Sequence, residues 1–192
     1  MNTTSRARRL SPAERERTIL TGARKLVYES GLEAMTVRAI AAEVGVTPAL
    51  IAHYRPVMDD FVAEVFRDVV SAERVEVLGT VDVSLGLRPT LQGIIETLLD
   101  PARDDVAMVW VQSWALGARN PVLAERVRIE MDLWQSGLED VIRRAGAGID
   151  DPRGAAWMLL AMVDGMSAHA LVKWAPHDRA EIARRTLAAV LA

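Results

Sequence analysis

Two groups of side chains in this sequence have the types and spacing to do chemistry, and neither is a catalytic centre. The first is aromatic. Trp110, Trp114, Trp134 and Trp157 crowd the middle of the chain, and Trp110 and Trp114 share one face of any helix that holds both. With a carboxylate such as Asp164 or Glu130 beside them, such rings make a box for a quaternary or other organic cation. The same tryptophans serve equally as plain core. Met108, Met131, Met158, Met162 and Met166 suit an adaptable cavity wall or ordinary core gaps. Asp164 and His169 lie on one apolar helix, where an ionisable side chain ordinarily has a hydrogen-bond partner and a structural duty.

The second group is basic and lies at the front. Up to Arg55, Arg and Lys number nine against five Asp and Glu; beyond it they number fourteen against twenty-one, for a net charge of −3. A basic front on an acidic body is expected of a module that meets phosphates joined to one that does not; a solvated basic tail is the alternative. Enzyme chemistry finds no support. His53, His169 and His177 are scattered, cysteine is absent, and no Ser-His-Asp set, phosphate loop or metal-ligand spacing occurs. We therefore expect no catalytic residues, no metal and no cofactor. The lack of cysteine fits a reducing compartment, no apolar stretch completes a signal peptide, and the cytoplasm is the expected location. The longest apolar run, 154–172, carries Asp164 near its middle, where a charge in a bilayer costs ~3 kcal/mol or more. It reads as a buried helix, with no membrane partner.

Helix signals run the length of the chain. Ser11-Pro12-Ala13-Glu14 combines a capping box with proline at the first helical position, and Gly31 ends that first helix. Thr36 caps a short second helix that stops at Gly45; Thr47-Pro48 starts a third, which Pro56 stops. A fourth begins near Asp59, and 79–89 reads as a loop. Five more helices are expected near 90–99, 104–118, 121–145, 152–174 and 178–191, separated by proline and glycine. With no strand alternation, the fold class is all-α with about nine helices. Three of them form an N-terminal helix-turn-helix module, and a larger helical domain follows. The expected organisation is a flexible basic arm over 1–10, the DNA-binding domain over 11–56 and the helical domain over 57–192.

The second and third helices, joined by a tight turn at Gly45-Val46, have the spacing of a helix-turn-helix. In that arrangement the second of the pair enters the major groove of double-stranded DNA. Residues 36–54, TVRAIAAEVGVTPALIAHY, resemble the signature of the TetR family of transcriptional regulators. Met108 to Trp114, Asn120-Pro121, Trp134 and Met162-Val-Asp-Gly-Met166 are similar to the C-terminal domain of its BetI-type branch. The resemblance implies Thr36 and Arg38 near backbone phosphates, Thr47, Pro48, Ala49 and Leu50 facing the groove, and His53 and Tyr54 gripping phosphate. Caps and helix N-termini offer amides to phosphate, and Arg, His and Tyr add donors. Tyr54 also suits the module's core.

The pattern breaks at the end of the third helix, where Arg55 replaces the family's aromatic and Met58 its lysine. Arg55 is a candidate to restore the phosphate contact. The third helix offers no Arg, Asn or Gln for bidentate base reading, so backbone contacts and DNA shape should dominate and affinity should fall steeply with salt. Arg6, Arg8 and Arg9 either reach a minor groove or form a solvated tail.

The eighth helix is apolar nearly all round and must be covered on every side. The resemblance implies that it pairs, with the last helix, across a two-fold axis as a homodimer, giving two reading heads and an inverted-repeat operator. It also implies a cavity between the fourth and the middle helices for a small-molecule effector that releases DNA from a repressor. The candidate lining is Trp110, Trp114, Trp134, Trp157 and Asp164. A second reading is a degenerate relative, a dimer that binds a small molecule or protein and no DNA.

Overall fold

The computed structural model describes residues 10–146, 148–174 and 178–191. The Arg6, Arg8 and Arg9 arm and His177 lie outside the described residues. Within them the chain forms α1 (Pro12–Ser30), α2 (Val37–Glu43), α3 (Pro48–Tyr54), α4 (Met58–Gly79), α5 (Leu87–Leu98), α6 (Asp104–Gly117), α7 (Pro121–Ala145), α8 (Pro152–Leu171) and α9 (Arg179–Val190), with no strand. Short 3-10 turns precede α2, α5 and α6, at Leu32–Ala34, Val83–Leu85 and Pro101–Arg103.

The caps read from sequence are present. The Ser11 hydroxyl accepts from Glu14 N–H at 3.2 Å and Glu14 Oε2 accepts from Ser11 N–H at 2.7 Å, closing the capping box on α1. Thr36 and Thr47 each accept from the amide three residues on, at 3.1 and 3.3 Å. Gly45 holds φ +67, with Val46 N–H on Ala41 O and Gly45 N–H on Ala42 O. That paired return closes α2 and needs a residue free to take positive φ.

Two expected boundaries move. Helix α5 opens at Leu87 and includes Pro89, because a first-turn residue has no intrahelical partner for its N–H and proline loses nothing there. Helix α8 stops at Leu171, three residues before the expected Trp174, because Lys173 turns to φ +57 and Trp174 N–H returns to His169 O.

Two cores organise the molecule. The upper one joins Ile19, Val27, Ile40 and Ile51 of α1–α3 to Phe61, Val65 and Phe66 of α4 and continues to Val109 of α6 and Leu123 of α7. The lower one gathers Val77, Leu91, Ile95, Trp134, Leu138, Leu159, Val163 and Leu187 from α4, α5, α7, α8 and α9. Helix α4 crosses from one to the other, so a shift of its axis is felt in both. No helix among the described residues is long and apolar enough to cross a membrane.

Candidate functional site

The first site is the outer face of α2 and α3. Ile51 is fully buried and pins α3 to the head, while the N-cap Thr47 and Pro48, Ala49, Ala52 and His53 of the seven-residue helix are exposed. One buried anchor in so short a helix leaves the rest of its surface free for a partner. The approach of α1 to α2 is equally tight, since a Cβ at Gly22 would fall on the Val44 side chain.

Thr36 and Arg38 are exposed at the start of α2. In both threonines the hydroxyl oxygen accepts the cap hydrogen bond, which leaves the O–H free to donate outward. Tyr54 is half-buried against the upper core and meets His53 edge-on at 5.3 Å, so it is a core residue with an accessible rim. Leu50 is also half-buried.

Arg55 does not join this group. Its guanidinium lies 4.5 Å over the Phe61 ring and its Nη1 pairs with Glu64 at 3.0 Å, with the side chain 20% exposed. Glu64 holds it inward, so the candidate replacement for a phosphate contact is occupied. Met58 packs half-buried on the upper core, and Asp59 and Asp60 stand exposed behind it in the first turn of α4.

The second site is a cavity enclosed by α4 to α8. Its wall includes Glu73 of α4, Leu98 of α5, Arg103 of the turn before α6, Trp110 and Trp114 of α6, Met131 and Trp134 of α7, and Leu160, Val163, Asp164 and Ser167 of α8. The cavity volume is about 50 Å³, within about 620 Å³ of empty space that is partly open to solvent. The space is thus a slot, and a bulky guest must displace side chains, Met131 being the flexible one. The rings of Trp110 and Trp114 lie 6.2 Å apart, and Phe66 backs Trp110 edge-on at 5.2 Å.

Three of the four candidate tryptophans meet here; Trp157 does not. It is 61% exposed, on the outer side of α8 with Met158, because the inward side of that helix is taken by Leu159, Val163 and Asp164. Glu130 is buried too, but opposite Arg74 at 3.5 Å on the seam between α4 and α7. Of the methionines, Met131 lines the cavity and Met166 accepts a weak bond from Thr186. His169 is exposed and meets Trp174 edge-on at 4.8 Å.

Glu73 is the residue that sequence reasoning missed. It is 8% exposed, accepts from the Trp110 indole N–H at 3.1 Å and lies 4.0 Å from Arg103. Burial raises its pKa to about 7 against the pull of Trp110 and Arg103. Burial, and then the Glu73 charge, raise Asp164 to about 7 as well. Asp164 has no hydrogen-bond partner among the described residues. The indole N–H groups of Trp114 and Trp134 are buried without a partner. Such a wall offers acceptors, donors and ring faces to a guest; no group of residues able to hold a metal occurs among those described.

Helix α6 also reaches the head. Gln112, between the two cavity tryptophans in sequence, accepts from Glu33 N–H at 3.2 Å, and a Cβ at Gly31 would fall on the Gln112 side chain. The head end of α1 is therefore seated on the helix that carries Trp110 and Trp114.

Residues 87–192 match the family described as BetI-type transcriptional repressor, C-terminal, and residues 19–65 match that of bacterial regulatory proteins, tetR family. No curated protein matches the chain significantly in sequence. A transcriptional regulator from Rhodococcus sp. RHA1 superposes with a TM-score of 0.78 at 26% identity, covering 91% of this chain and 95% of that one. A candidate regulator from Saccharomonospora viridis, solved in complex with choline, gives 0.74 at 25% identity over 91% and 94%. The multidrug binding protein EbrR, solved with proflavin, gives 0.70 at 22% identity over 92% and 99%, a likeness of fold.

Proposed function

The chain belongs to the TetR family of bacterial regulatory proteins, with a BetI-type C-terminal domain, and from that premise we propose that it is a repressor released from its operator by a small organic cation. The observation that carries the reading is the outward display of α3 over its single buried anchor, Ile51. In this reading residues 11–56 are the DNA-binding domain and 57–192 the ligand-binding and dimerisation domain, acting in the cytoplasm without catalysis. Thr47, Pro48, Ala49 and Leu50 face bases in the major groove. Thr36, Arg38, His53 and the rim of Tyr54 take phosphates.

Two copies pair through α8 and α9. The support is the apolar surface that one chain leaves open: Trp157 at 61%, Met158 at 42% and Val172 at 73% exposure, on or beside the outer side of α8. A two-fold pair sets two copies of α3 one DNA turn apart, ~34 to 36 Å, which requires an inverted repeat.

The effector occupies the cavity of Trp110, Trp114, Trp134 and Asp164. The choline and proflavin bound by proteins of similar fold are both organic cations, which indole faces and a carboxylate attract. Because Gln112 ties α6 to the head and α4 carries both Glu73 and Phe61, a guest that spreads the slot displaces the heads. By linkage, a compound that weakens DNA binding tenfold binds ~1.4 kcal/mol less well to the DNA complex.

The inward turn of Arg55 and the acidic start of α4 favour a second reading, a dimeric small-molecule or protein binder that has lost DNA. Short duplexes taken from around the chain's own coding sequence separate the two. A mobility shift that weakens steeply between low and moderate salt supports the repressor; no shift at either supports the binder.

A further inference from the structure

The cavity wall carries more negative charge than it can balance. Two carboxylates from different helices, Glu73 of α4 and Asp164 of α8, face one slot. Glu73 is held, by the Trp110 indole and by Arg103 at 4.0 Å. Among the described residues Arg103 is the one cationic member of the wall, and it also pairs with Glu76 at 2.5 Å, so its charge is already divided. Asp105 of α6 adds a further negative charge near Glu73. The remaining contributions of α5, α6, α7 and α8, among them Leu98, Trp110, Trp134 and Ser167, are uncharged. Asp164 thus meets a like charge and no counter-charge. Beside it, Trp134 is 3% exposed and its indole N–H has no partner, a second sign of a wall shaped for a guest.

A carboxylate largely shielded from water and facing another is held protonated to higher pH unless a positive neighbour balances it. Either a proton or a ligand's charge can fill that role. We propose that the cavity exchanges a proton for an organic cation, with Asp164 as the group that gives the proton up. The inference rests on the cation reading above. In the exchange the Asp164 O–H bond breaks, the proton passes to bulk water, and the carboxylate left behind faces the guest's positive centre between the indole rings. Both groups being raised to about 7, the pair holds on the order of one proton near neutrality in the empty cavity, and the two titrations belong to the pair. Binding then tightens as pH rises, and the regulator reads acidity and cation together.

The test uses permanently charged probes, so that the protein alone titrates. Tetramethylammonium, tetraethylammonium and benzyltrimethylammonium are titrated calorimetrically into the full chain, Asp164→Asn and Glu73→Gln, from pH 5.5 to 8.5 in two buffers of different ionisation enthalpy. Neopentylbenzene, the uncharged isostere of the last, is the control. For the tightest-binding cation we expect affinity to rise up to tenfold per pH unit below about 7 and to level off above it, with proton release into the buffer. Asn cannot release a proton, so in Asp164→Asn the slope and the release shrink to the share that Glu73, held by Trp110 and Arg103, retains. Glu73→Gln removes the like charge, so the same slope moves to lower pH. Thermal melts check that both variants fold; asparagine and glutamine mimic the protonated acids. A cation affinity that is flat with pH, or a slope that survives Asp164→Asn undiminished, overturns the exchange and leaves the cation reading intact. No binding of any of the three cations, whether or not the uncharged isostere binds, overturns both.

Discussion

The head and the cavity of this regulator handle polar groups in opposite ways. In the head the core around Ile40, Ile51 and Phe61 is apolar, and Thr36, Arg38, Thr47 and His53 stand at the surface, where water meets their needs. In the body, Glu73 is buried and Asp164 half-buried, and among the described residues the indole N–H groups of Trp114 and Trp134 have no partner. The cost of desolvating a charge, several kcal/mol, dominates such a wall and is relieved by a proton or a guest. The polar groups of the head are satisfied at the surface, and those of the pocket are left incomplete.

The largest blow to the comparison falls on the head's anchor. Ile51→Ala should cost ~2 to 5 kcal/mol in urea unfolding, since a fully buried side chain leaves a cavity under α3, whereas the exposed Ala52→Ser should stay within ~0.5 kcal/mol. An equal response at both positions would mean that α3 is not pinned as described.

The cavity should break the other way, through pH. Glu73 and Asp164 both have folded-state values raised to about 7, above their ordinary range near 4. The folded chain therefore binds more protons than the unfolded one between those limits. Their contribution to stability is whole below about 4, declines as pH rises through 7, and is flat beyond. Guanidinium unfolding of the ligand-free protein across pH 4 to 8 should resolve a loss of a few kcal/mol for the pair, smaller in Asp164→Asn.

A smaller effect separates folding from recognition within the head. Thr47→Ala removes a cap and an outward O–H; we expect ~0.5 to 2 kcal/mol in stability and weaker duplex binding, both largely restored by Thr47→Ser. The smallest concerns the seam between the regions. Gln112→Ala gives up the hydrogen bond to Glu33, costing ~1 kcal/mol in stability, yet should blunt the effect of a bound cation on DNA affinity more than it alters either binding alone. Undiminished coupling in that variant would route the signal through α4.

Much of the head was legible because its signals are local. A cap, a proline and a glycine within a few residues define each short helix, and Ser11, Thr36 and Thr47 all cap where spacing required. The cavity was legible only in part. Trp110 and Trp114 announce themselves four residues apart, but Trp157 was chosen by type, and type does not say which side of α8 the domain covers. Glu73 looked like one more charge on a charged helix. Its signal was periodic: it falls on the stripe of Phe66, Val70 and Val77, seven residues after the first and four before the last, all buried. Arg55 depended on Phe61 and Glu64, brought back to it across the break at Pro56, a relation no local pattern contains. The same holds for Gln112 beneath Gly31, which are far apart in the chain.

The central claim is that two copies of α3 sit in successive major grooves of one duplex. Methylation protection of guanine N7 on a selected duplex tests it most directly, because that atom lies in the major groove. The account predicts two protected patches related by a two-fold and separated by ~10 base pairs, lost together in Thr47→Ala and on saturation with a cation. Unprotected guanines throughout, from a protein that still binds its cation, would contradict it.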